Sequence, residues 1–86
     1  MKEKYIKFPI AVKRGCGMDV HKDTVVVTIM GEGLRTQTRS FKTFTNSLIK
    51  LKKWLKKHNI THIAIESTGV YWKPIFNVMG DEFELL

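Results

Sequence analysis

Apolar and polar residues repeat with two different periods along the chain, and the changes of period mark out its elements. Over residues 14–21 the period is two: Cys16 and Met18 fall on one face of a strand, Gly17 and Asp19 on the other. Residues 24–30 hold the strongest strand signal, with Val25, Val26, Val27, Ile29 and Met30 among threonines. They are apolar on both faces, which predicts a central strand covered on both sides. Too few residues separate these two strands for a crossover, so they form an antiparallel hairpin. Gly31-Glu32-Gly33 is the next turn, and the Thr-rich, charged residues 34–43 read as a third, edge strand.

The period then lengthens. Leu48, Leu51 and Leu55, with Ile49 and Trp54 beside them, make the apolar stripe of a helix over 46–58. Thr45 or Asn46 can cap its start, Lys56, Lys57 and His58 suit its end, and Asn59 suits a left-handed stop. A period of two returns at 61–66, with Ile63 and Ile65 on one face and His62, Ala64 and Glu66 on the other. A strand reached through a helix runs parallel to one already in the sheet. A short helix over about 70–79 follows, with Pro74 in its first turn and Ser67 or Thr68 as its cap, and residues 83–86 begin a fifth strand. Residues 1–13 read as a leader, and 14–86 as one partial domain.

The order strand-strand-strand-helix-strand-helix-strand predicts an α/β fold with a ribonuclease-H-like mixed sheet, cut short at its fifth strand. In that arrangement strand four lies beside strand one, about 5 Å away. Asp19 and Glu66 then emerge together at one end of the sheet. Two facing carboxylates repel unless a cation or a proton lies between them, and hard oxygen donors suit Mg²⁺ or Mn²⁺. With further carboxylates such a site can hold two metals about 4 Å apart for phosphodiester chemistry. The bland reading is that Asp19 caps the turn near Lys22. Sugar kinases and actin-like ATPases also begin with an Asp on the first strand, but they need glycine after it to cradle phosphate. Here Val20, His21, Lys22 and Asp23 follow.

Charge and composition narrow the partners. The net charge of +7 favours a polyanion, nucleic acid first. One cysteine, Cys16, allows no internal disulfide and fits a reducing cytoplasm. No apolar run approaches the roughly 20 residues that span a bilayer. His21 and Lys22 flank the acid pair, and Tyr71, Trp72 and Lys73 follow Glu66. All five are candidates for nucleic-acid contact, with packing preferred for Tyr71 and Trp72. Lys50, Lys52, Lys53, Lys56 and Lys57 cover the outer face of the first helix, where a solvated face is the ordinary explanation.

Three motifs carry a family resemblance: Gly17-Met18-Asp19-Val20-His21-Lys22-Asp23, then Thr43-Phe44-Thr45-Asn46 leading into Leu51-Trp54-Leu55, then Glu66-Ser67-Thr68-Gly69-Val70-Tyr71-Trp72-Lys73-Pro74. Together they resemble the start of the DEDD-type insertion-sequence transposases, the insertion-sequence one-ten family. The resemblance implies a RuvC-like domain with four acids, DNA recombination, dependence on Mg²⁺ or Mn²⁺, a prokaryotic cytoplasmic setting, an oligomeric parent and a structured guide RNA. By that likeness Asp19 and Glu66 are the first and second acids. The third and fourth acids and the family's nucleophilic serine have no counterpart in this sequence, so the chain is expected to be an N-terminal part, inactive alone. Two other readings remain. One is a small basic nucleic-acid-binding module without catalysis. The other is a RuvC-like nuclease completed by dimerisation, using Asp81, Glu82 or Glu84.

Overall fold

A computed structural model describes residues 13–67 and 69–85. Residues 1–12, which fall in the expected leader, lie outside the described residues, as do Thr68 and Leu86. Alternating, β-branched sequence gives β1 (Arg14–Val20), β2 (Thr24–Gly31) and β3 (Leu34–Lys42), joined as antiparallel neighbours. The helix α1 (Thr45–Lys57) crosses over to β4 (His62–Ser67), which pairs in parallel with β1. Then come α2 (Lys73–Met79), one 3₁₀ turn (Gly80–Glu82) and β5 (Glu84–Leu85), which pairs in parallel with His62 and Ile63. The five strands lie in the order β3-β2-β1-β4-β5. This is the expected ribonuclease-H-like mixed sheet.

The core occupies one side of that sheet. Cys16, Met18, Val20, Val25, Val27, Ile29 and Ile63 point into it and meet Leu48, Leu51, Trp54 and Leu55 of α1 and Ile75 and Met79 of α2. Burying these side chains drives the fold, each worth roughly 1.5–3 kcal/mol. β2 is central, as its sequence predicts, but it is not equally covered on both sides. Val26, Thr28 and Met30 on its second face are half-buried, while Val25, Val27 and Ile29 are fully buried. Apolar character on both faces marked a central position rather than two covering layers.

Three local expectations change. The residue capping α1 is Phe44, with no side-chain hydrogen bond, so neither Thr45 nor Asn46 caps it. Ile49 is exposed rather than part of the stripe. The second helix begins at Lys73, after a turn over 69–72, and is capped by Trp72 without a side-chain bond, so Ser67 is not its cap. Asn59 does adopt the left-handed conformation, with φ 56°, and Pro74 sits in the first turn of α2.

The two ends of the sheet are held differently. At the start of β1, the Arg14 guanidinium donates to the Glu32 carbonyl (3.0 Å) and to the His58 carbonyl (2.9 Å). It thereby ties the β2–β3 turn to the C-terminal end of α1, where carbonyls lack helical partners. At the other end of β1, the β1–β2 turn is closed by His21 N–H donating to Thr24 O at 2.8 Å. That second end carries the acids.

Candidate functional site

Asp19 is the penultimate residue of β1, and Glu66 the penultimate residue of β4. In the parallel pairing they are direct partners, one step beyond Met18 with Ile65 and one before Val20 with Ser67. Partners in register project to the same face of a sheet, and neighbouring strands lie about 4.8 Å apart. The face is the one opposite the core, because Met18 and Val20 on either side of Asp19 are buried beneath the helices. Asp19 is therefore only half-buried and Glu66 exposed, so both carboxylates reach solvent.

The β1–β2 turn brings a third side chain to this pair. His21 Nε2 lies 3.4 Å from Asp19 Oδ2, an ion pair when the ring is protonated. Lys22 follows, exposed at the tip of the turn. Thr43 holds the turn in place: its Oγ1 donates to the Lys22 carbonyl at 3.2 Å, and its N–H donates to the Asp23 carbonyl at 3.2 Å. Thr43 is a positioning residue whose partners lie some twenty positions away in the sequence. The signals for it were its place at the end of the third strand and in the motif Thr43-Phe44-Thr45-Asn46.

The residues after Glu66 divide between the two sides of β4. Ile65 and Ser67, which alternate with Glu66, line a groove of about 360 Å³ with Gly69, Trp72, Phe76 and Leu85. Trp72 and Phe76 meet edge to face, with centroids 5.9 Å apart. Trp72 thus belongs to the helix side of the sheet, away from Glu66. Tyr71 is 38% exposed and Lys73 is exposed, both in the segment leading from the site into α2.

Two of the C-terminal acids, Glu82 and Glu84, are not near this pair. Glu82 pairs with both Lys52 and Lys56 of α1. Glu84 is aligned with His62, four residues along β4 from Glu66, which is about 13 Å in a strand. Among the described residues no group of three or more His, Cys, Asp or Glu side chains is gathered closely enough to hold a metal. None of the described helices is long and apolar enough to cross a membrane.

Comparison with known proteins agrees with this architecture. The chain matches no curated protein. A family model described as transposase, of the DEDD type named for the insertion sequence IS110, matches residues 16–84. That span runs from β1 to β5 and includes both Asp19 and Glu66. A match over most of the chain, on a sheet with the ribonuclease-H-like strand order, places this protein in the IS110-type DEDD transposase family.

Proposed function

We infer that the chain serves DNA transposition through metal-dependent phosphodiester chemistry, with Asp19 and Glu66 as the first two acids of a four-acid set. The observation that carries this reading is their register: two carboxylates face each other at the matching ends of adjacent parallel strands. The donor chemistry fits a hard divalent cation. Both groups are oxygen donors, both reach solvent, and Mg²⁺ keeps several waters when one or two carboxylates bind it. When bound, such an ion supplies Lewis-acid polarisation of a phosphodiester oxygen.

The remaining roles belong to side chains around the pair. His21 orients the Asp19 carboxylate through their 3.4 Å contact. Lys22, held out by Thr43, offers a cation to a phosphate of DNA approaching the acids. Tyr71 and Lys73 extend that approach beyond Glu66, while Trp72 contributes packing against Phe76 first and nucleic-acid contact second. Residues 14–86 act as part of a RuvC-like domain. A structured guide RNA and an oligomeric assembly are partners of the whole transposase, which works in a prokaryotic cytoplasm. By themselves two acids hold the ion weakly, so this chain performs no strand transfer alone.

Two measurements test these statements. In the ¹⁵N-labelled chain, Mn²⁺ is expected to broaden amide signals at 19–22 and 64–67 first. Asp19→Asn or Glu66→Gln is expected to weaken that binding by about tenfold or more, since half the charged donors are gone. Broadening centred on 81–84 instead would remove the acid pair from the site. Incubation with labelled DNA and Mg²⁺ is expected to give no strand transfer. Robust transfer that disappears in Asp19→Asn would show a complete site within the chain. A non-catalytic nucleic-acid-binding module is the second reading, favoured by the +7 charge. It is distinguished by indifference of metal binding to these two substitutions.

A further inference from the structure

From Gly33 to Ile65 the sequence contains no carboxylate and eight Arg and Lys residues. That stretch folds into β3 and α1, which pack together through Phe41 and Trp54, their ring centroids 5.7 Å apart. The tertiary structure then sorts the eight cations. Lys52 and Lys56 lie on the flank of α1 that faces the 3₁₀ turn, and both pair with Glu82. The other six, Arg35, Arg39, Lys42, Lys50, Lys53 and Lys57, are exposed. Among the described residues none of these six is engaged in an ion pair.

Four of them, Arg39, Lys50, Lys53 and Lys57, share one surface; Lys42 alternates with Phe41 and projects to the other face of the sheet, and Arg35 lies at the register shift between Leu34 and Gln37. Lys50 and Lys57 stand four residues before and three after Trp54, so they flank it on the helix. The Arg39 guanidinium lies over the Trp54 ring, 4.8 Å from its centroid, which holds the cation in place. Lys50 and Lys57 are about 10 Å apart along the helix axis. Like charges this close repel in the free protein, and a polyanion relieves that repulsion.

We propose that the β3–α1 face is a docking surface for the backbone of duplex DNA, separate from the Asp19–Glu66 pair. Charge complementarity selects the polyanion. The ring among these cations favours a duplex: Trp54 is only 7% exposed, so unpaired bases find no ring to lie on there, and the exposed Phe44 stands at the start of α1, about 15 Å from Trp54 along the helix. A duplex keeps its bases inside and presents phosphates, which is what these four cations can use. The face lies on the helix side of the sheet and the acids on the other, so the sheet separates the two. DNA held here is flanking duplex away from the point of chemistry: this face supplies affinity and register, not reaction. The proposal stands whether or not the acids bind metal.

The test uses the whole chain and a 20-base-pair duplex of arbitrary sequence, followed by fluorescence anisotropy in EDTA across a salt series. Lys50→Gln/Lys53→Gln/Lys57→Gln is expected to weaken binding about tenfold or more and to flatten the log K against log salt slope by about 2 to 3. Lys52→Gln/Lys56→Gln, which alters the flank already neutralised by Glu82, is expected to change the slope by less than about 1. Asp19→Asn/Glu66→Gln, which removes two negative charges, is expected not to weaken binding, which separates this result from any failure of the metal reading. An unaltered slope in the triple variant overturns the proposal. So does an equal loss per charge in the two lysine variants, which would reflect net charge alone, or a loss confined to a structured RNA competitor. Thermal melts check folding. If the triple variant is unfolded, Arg39→Gln on the edge strand takes its place, with an expected loss of about twofold or more.

Discussion

Raising the pH from 9 to 12 is expected to remove about 3 kcal/mol of folding stability through one side chain, Cys16. The residue is fully buried, paired in register with Ile29 on one side and Ile63 on the other, both also fully buried. Burial disfavours the thiolate and pushes the thiol from 9.0 up to about 12. The sign follows from proton counts. Between pH 9 and 12 the unfolded chain has released this proton and the folded chain has not, so stability falls as pH rises. The contribution is fully present below pH 9 and lost on the way to 12. A domain of this size has roughly 4–13 kcal/mol in total, so the loss is large. Urea denaturation across this range measures it, with Cys16→Val as the comparison. Val fits a buried strand and cannot ionise, so its stability is expected to fall less steeply. Parallel curves for the two proteins would show that lysine and tyrosine titration accounts for the whole decline. The same burial predicts that a thiol reagent modifies Cys16 only when the chain unfolds.

Gly31→Val is expected to cost about 3 kcal/mol or more, far beyond an ordinary surface change. Gly31 has φ 151°, and a Cβ there would lie 2.3 Å from the Lys13 carbonyl oxygen and 2.7 Å from Arg14 Cα. Both are backbone atoms and neither can turn aside. The start of β1 must therefore move. That movement breaks the bond from Glu32 N–H to the Lys13 carbonyl (2.9 Å) and pulls Arg14 from its carbonyl partners on Glu32 and His58. Charged hydrogen bonds of this kind are worth about 1.5–3 kcal/mol each. Gly33→Ala is the comparison. Its φ of 68° is also unfavourable to a side chain, but the nearest atom is the flexible Arg14 Nη2 at 3.5 Å. A cost of only about 1 kcal/mol is expected there. Equal midpoints for the two variants in urea would mean that close approach at Gly31 is not what makes glycine necessary.

The order of elements was legible in the sequence because each element is announced locally. The run of β-branched residues at 24–30 calls for a strand, and the leucines at 48, 51 and 55 for a helix. The hairpin followed from the shortness of the link between the first two strands, and the parallel fourth strand from the helix before it. Those local rules also put Asp19 and Glu66 at strand ends. What they could not decide is what lies across from each residue. The capping of α1 by Phe44, the exposure of Ile49 and the one-sided cover of β2 depend on where the sheet and helices meet. Glu82 reaches Lys52 and Lys56 from 26 or more residues away, and no period in the sequence reports that contact. The direct pairing of Asp19 with Glu66 is the same kind of fact. The sequence by itself determined that two carboxylates end two strands. Only the parallel register of β1 with β4 placed them side by side on one face, because a shift of a single residue would have turned one of them into the core.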